Sequence, residues 1–174
     1  MDFLTLAKKR FSVRAYDYNR KVEKAKLLQI LEAGRIAPTG CNAQPQRILV
    51  IESCEGFKKL EKAYPNTYGA TLAFIVCADH NITWKRKYDG KDIADIDASI
   101  VTTHMMLAAT ELGLGSVWLC AFNPAAIRSE FNLADHVEPV NILLVGYAAC
   151  EPQSPDRHKD LRYTLEETVR YESF

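Results

Sequence analysis

The chain has 174 residues, 48% of them apolar and 25% charged, with 22 Lys plus Arg balancing 22 Asp plus Glu. That balance leaves no overall field for wrapping a nucleic acid or lying on an anionic membrane, so any anion site must be local. The length suits one domain over 1–174, and the apolar stretches are too short for a secretory leader or a bilayer span, so a cytoplasmic protein is expected. Five cysteines without a C-x-x-C pair and four histidines without ligand spacing predict buried or loop thiols and no metal site.

Phe3, Leu4, Leu6 and Ala7, followed by Lys8, Lys9 and Arg10, predict a short helix over 2–9 whose cations complement its C-terminal dipole. A second helix over 23–36 carries Leu27, Leu28, Leu31 and Ala33 and is ended by Pro38. "RILVIES" (47–53) and "TLAFIVCA" (71–78) read as buried strands around a helix over 55–64. The longest helical pattern runs from 92 to 112 and is apolar on more than one side, so it should be central. A strand over 115–120, a helix opened by Pro124 and a strand over 140–149 follow. The tail "CEPQSPDRHKD" should be extended before a last helix over 165–171. The alternation predicts an α/β domain of three layers, and periodicity leaves strand order open.

Two segments carry candidate chemistry. In "RFSVRAY" (10–16) a helix would set Arg10 and Arg14 one turn apart as like charges, whereas an extended chain sends Phe11, Val13 and Ala15 to the core. Arg10, Ser12, Arg14 and Tyr16 then share the other face, with about 13 Å between the two arginines. Such a face fits an elongated phosphorylated ligand, because guanidinium groups stay charged and donate several bonds while a serine adds a hydroxyl. The competing reading is that these cations cap a helix and are otherwise solvated. In "APTGCNAQPQ" (37–46) Asn42 and Gln44 offer planar amides that match a heterocycle edge such as the flavin pyrimidine, or else bond their own backbone in a loop that stops a helix.

Arg10-x-Ser12-x-Arg14, "APTGCNAQPQ", "LGLGSVWLCAF" and "GYAACEP", in that order, resemble the nitroreductase family of FMN-dependent oxidoreductases over about residues 2–170, as a short member. The resemblance implies an α/β (α+β) fold of three layers, with a central mixed sheet flanked by helices, and an interlocked homodimer with FMN at the subunit interface. It implies that the segment from Arg10 to Arg14, Phe11 included, lies on the cofactor, Arg10 and Ser12 at the phosphate and ribityl end and Arg14 near N1 and O2. Pro38, Thr39, Asn42 and Gln44 would reach the flavin from the other subunit. Cys120 or Ala121 would turn backbone N–H groups toward N5 and O4, with Trp118 and Leu119 packing nearby. Arg157 and Lys159 would meet the phosphate, unless they are solvated loop charges. Trp84 and Tyr88 sit in the family's variable region and would stack on substrate, or else form surface or dimer contacts.

The implied activity is hydride transfer from NADH or NADPH to FMN and on to a small electron-poor acceptor, nitroaromatic or quinone-like, by a ping-pong route. No side chain is assigned as catalytic acid or nucleophile, since the flavin carries the reactivity. A flavin-binding sensor or storage protein is the alternative. A Rossmann-like nucleotide binder is weaker, because no early strand leads into G-x-G-x-x-G. Phe11, Gly34-Arg35 and Gln46 depart from the family pattern, which bears on substrate preference more than on flavin binding.

Overall fold

Four apolar runs fold as strands, β1 (Gln46–Ile51), β2 (Leu72–Asp79), β3 (Gly115–Leu119) and β4 (Val137–Gly146), in a computed structural model that describes residues 1–174. They pair in the order β1-β2-β4-β3, antiparallel throughout. The sheet is therefore antiparallel and not mixed as expected; the one parallel pairing is an isolated bridge between Ser12 and Ser116 at the outer edge of β3.

Every residue of β2 is buried, the mark of a strand covered on both faces. Leu72, Phe74, Val76 and Ala78 face α2 (Lys24–Arg35) and α4 (Ala94–Glu111), where Leu27, Ile30, Ala98, Val101 and Met105 close the first core. Ala73, Ile75 and Cys77 face the opposite way, toward α3 (Cys54–Glu61) and α5 (Pro124–Glu130), whose Leu60 and Ile127 anchor the second core. Each fully buried large side chain here contributes about 1.5–3 kcal/mol, which fixes three layers with the sheet between. The expected stripe on α2 differs in one position: Leu28 is exposed, and Ile30 takes the inward place.

β4 begins three residues before its expected start and includes Pro139, a residue that argues against a strand when read alone. A register shift at Val76/Cys77 opposes Asn141 to Val76 and Pro139 to Cys77, so Val140 is bulged. The bulge accommodates the proline that lacks an N–H. α1 (Phe3–Lys9) is capped by Asp2, which accepts from the Thr5 N–H at 3.1 Å. The tail adds α6 (His158–Leu161), unforeseen from the sequence, and α7 (Leu165–Thr168), which ends earlier than expected.

Residues 10–16 are extended, as expected, and lie along the sheet edge. The Val13 N–H donates to Ser116 O at 3.0 Å, and the Ala149 N–H donates to Ala15 O at 2.9 Å. Alternation holds through Arg14 and then fails. Tyr16, expected on the outer polar face, is buried with its hydroxyl donating to Leu144 O at 3.3 Å, because its own N–H turns to Tyr68 O and leaves the edge. Val13 sits so close to β3 that a Cβ on Gly115 would lie 2.6 Å from its Cγ2. Gly115→Ala should therefore lower the unfolding free energy by about 1–3 kcal/mol, read as a reduced urea midpoint at unchanged slope.

Candidate functional site

Edge pairing turns Arg10, Ser12 and Arg14 outward into a cleft of about 220 Å³ that His158 and Arg162 close from the tail. Phe11 lines the same cleft while packing against the second core. No carboxylate lies within ion-pair distance of Arg10, Arg14, Arg157 or Arg162. Burial, and then the like charges of Arg157 and Arg162, pull the Arg10 pKa below its ordinary value. Unneutralised guanidinium groups converging on one cleft are an anion site in waiting, most of all for a group that accepts several bonds at once. Beside Arg14 lies a hydroxyl pair that the sequence did not flag: Tyr64 and Tyr68 are joined at 2.9 Å. That bond, followed by burial, raises the Tyr64 pKa, and the Arg14 charge works against the rise.

Arg157 has a part beyond the one expected. Its guanidinium donates to Lys8 O at 3.0 Å, Ser154 O at 2.9 Å and Arg10 O at 2.5 Å, which ties the tail to the end of α1. It lines the cleft while its donors hold the wall together. Lys159 is not brought there; it is exposed and pairs with Asp156 at 3.4 Å. Arg162 and His158 stand in the cleft instead, because the single turn of α6 swings the basic tail around. The run Arg157-His158-Lys159 with Arg162 beyond it was the available signal.

The loop holding Pro38, Thr39, Asn42 and Gln44 is not part of this cleft. Cys41, Asn42 and Gln44 all adopt left-handed backbone, with φ of 48°, 55° and 54°. A side chain in that region costs about 1–2 kcal/mol per residue, so the surroundings must impose the shape. Thr39 Oγ1 accepts from the Gln44 N–H at 3.0 Å, the Ala43 N–H donates to Gly40 O at 3.0 Å, and Gln44 Nε2 donates to Asn42 O at 3.2 Å. The loop is tied to the core through Gly40, whose N–H donates to Asp97 Oδ1 at 2.9 Å. Asn42 and Gln44 are exposed.

At the end of β3, Trp118 faces the first core and Leu119 the second, while Cys120 and Ala121 emerge exposed past the strand. Trp118 Nε1 donates to Cys120 Sγ at 3.2 Å, which turns the strand end. Trp84 is half-buried near Gly40, and Tyr88 is fully exposed at the tip of a hairpin closed by Lys85 and Asp92. His80 clasps the base of that hairpin: its Nδ1 meets Asp92 at 3.0 Å and its Nε2 meets Glu138 at 2.8 Å.

The structure is a three-layer α/β fold with a cleft of unpaired guanidinium groups at the edge of its sheet, and comparison makes the class specific. A sequence model of the nitroreductase family matches residues 7–66 and 58–147. The chain belongs to the nitroreductase family. A nitroreductase family protein from Clostridium difficile superposes with a TM-score of 0.97 at 57% identity, each chain covered in full. A Bacillus subtilis protein assigned as an NAD(P)H nitroreductase is 48% identical over 86% of this chain and 90% of its own. An FMN-dependent nitroreductase from Clostridium difficile is 27% identical with a TM-score of 0.78, over 97% of this chain and 98% of its own.

The hydrogen bond to Asp92 raises the His80 pKa; burial opposes the rise, and Glu138 adds to it. A pKa raised by folding stabilises the folded state fully below the unfolded value of about 6.5, and the contribution is lost as pH climbs through the raised folded value. Thermal stability should therefore fall as pH rises above about 6.5, more steeply in the wild type than in His80→Gln, in parallel melting series.

Proposed function

We propose that the protein is an FMN-dependent oxidoreductase that takes hydride from NADH or NADPH and reduces a small electron-poor acceptor, nitroaromatic or quinone-like. The observation that carries this reading is the set of guanidinium groups of Arg10, Arg14 and Arg162 on one cleft without a carboxylate partner. A phosphate monoester supplies the missing charge, and it is the anionic end of FMN. The names of the FMN-dependent relative and of the NAD(P)H nitroreductase relative agree with that chemistry. FMN, when bound, supplies the hydride-accepting and hydride-donating chemistry.

On this reading Arg10 and Ser12 hold the phosphate and ribityl end, joined by Arg162 and His158 from the tail, and Arg157 keeps the wall of the cleft in shape. Arg14, farther along the edge, stabilises negative charge on the ring. Backbone N–H groups of Cys120 and Ala121 offer fixed dipoles that need not reorient when charge appears, and Trp118 and Leu119 hold that strand end. Nicotinamide donor and acceptor occupy one face in turn, a ping-pong sequence, with Trp84 and Tyr88 as its stacking surface. Lys159 lies outside this arrangement, exposed and paired with Asp156.

A homodimer completes the reading. Ile96 on the outer side of α4 and Leu161, Tyr163, Leu165, Tyr171 and Phe174 in the tail are exposed, a quantity of apolar surface that a second copy would cover. Pro38, Thr39, Asn42 and Gln44, which lie outside the cleft of their own chain, would then serve the partner's flavin. No helix is long and apolar enough to cross a membrane. The five free thiols suit a reducing cytoplasm.

Protein purified with FMN should bleach in the visible on anaerobic addition of NADH or NADPH and regain its colour with a quinone. A bound flavin that stays oxidised under both donors would leave a storage role in place of an enzyme. Arg14→Glu should lose most of its flavin on gel filtration, whereas Lys8→Glu, at an exposed residue outside the cleft lining, should keep it. Equal retention in the two variants would count against the cleft as the cofactor site.

A further inference from the structure

Asp97 is a carboxylate in the first turns of α4, 1% exposed, and no cation pairs with it. Oδ1 accepts the Gly40 N–H at 2.9 Å, and Oδ2 has no donor within the chain. Burying a carboxylate on so few bonds works against folding, and an apolar side chain of the same size would serve the core better. Its one partner is the loop whose conformation is least favourable in isolation.

The surroundings of Gly40 show why a fixed point is needed there. A Cβ at this position would lie 2.3 Å from Ile93 Cδ1 and 3.4 Å from Trp84 Cβ, so the backbone itself is pressed against the start of α4. Immediately after it come the left-handed Cys41 and Asn42. Their turn closes on Gly40 O through the Ala43 N–H, and Gln44 closes on Thr39 Oγ1. Residues 39–44 therefore form one small hydrogen-bonded body; the Gly40–Asp97 bond joins it to the rigid central helix, and Arg47, donating to Gln44 O at 3.3 Å, joins its far end to β1. Rotating it would re-aim the exposed amides of Asn42 and Gln44 together.

We propose that Asp97 is a positioning residue for the cofactor: by accepting the Gly40 N–H it presets the Thr39–Gln44 loop so that the Asn42 and Gln44 amides meet the flavin ring already ordered. This rests on the FMN reading above and extends it to a residue that touches neither cofactor nor substrate. An amide oxygen can replace the carboxylate oxygen at this bond, and a methyl group cannot.

The test compares wild type, Asp97→Asn and Asp97→Ala, each prepared without flavin and then titrated with FMN, with amide exchange measured on the flavin-free proteins. Asp97→Ala should bind FMN about tenfold to a hundredfold more weakly and lose exchange protection at Gly40, while Asp97→Asn stays within about threefold of wild type. The visible band of FMN bound to Asp97→Ala should also shift toward that of free FMN. A folded Asp97→Ala with unchanged FMN affinity would overturn the proposal, as would an Asp97→Asn as weak as Asp97→Ala while its Gly40 amide remains protected. Should Asp97→Ala fail to fold, the wild type decides alone: a Gly40 amide that exchanges as fast as an open loop refutes the proposal, and slow exchange before any flavin is added supports it. Wild type that takes up no FMN at all would instead overturn the cofactor reading, a result distinguishable from both.

Discussion

Pairing of Ser12 and Val13 with Ser116 on the outer edge of β3 is the contact from which the cation cleft is built. The Val13 N–H reaches Ser116 O, Val13 itself fills the second core, and Gly115 leaves room for the approach. With Val13 held inward, the neighbours on either side must point outward, and they are Ser12 and Arg14. One apolar side chain thus decides where two polar ones go. An edge strand ordinarily risks pairing with another chain; here the edge is closed by a segment of the same chain, and the closing segment is the one that carries charge.

The chain has no net charge, yet it gathers guanidinium groups where none is neutralised by a carboxylate. Several of its other cations are ion-paired, as in Lys62 with Glu130 at 2.8 Å and Arg47 with Asp79 at 3.1 Å. The contrast locates a site better than the total does. Mutual repulsion among Arg10, Arg157 and Arg162 works against folding, and an anion bound among them would relieve it.

Much of the architecture was legible because buried strands and a two-sided helix leave strong patterns. β2 and α4 fall within two residues of their expected bounds, and the extended 10–14 segment follows from alternation alone. What failed to show in the sequence depended on contacts between distant parts. Tyr16 is polar at its tip and alternates outward, but a carbonyl on β4 receives its hydroxyl. The antiparallel order of the sheet leaves no trace in periodicity. Arg157 and Lys159 are both basic and near each other, and only the turn of α6 separates the clamp from a solvated lysine. Asp97 looks like any acidic residue early in a helix, where it would favour the dipole; its burial against Gly40 appears only when the loop is folded.

The three carbonyls gripped by Arg157 include Lys8 O, 149 positions earlier in the chain. During synthesis the opening arginines leave the ribosome long before the segment that braces them. A nascent polypeptide can form helices and begin the sheet while this cleft still lacks one wall. The cleft is thus complete only after the residues around Arg157 have joined those around Arg10.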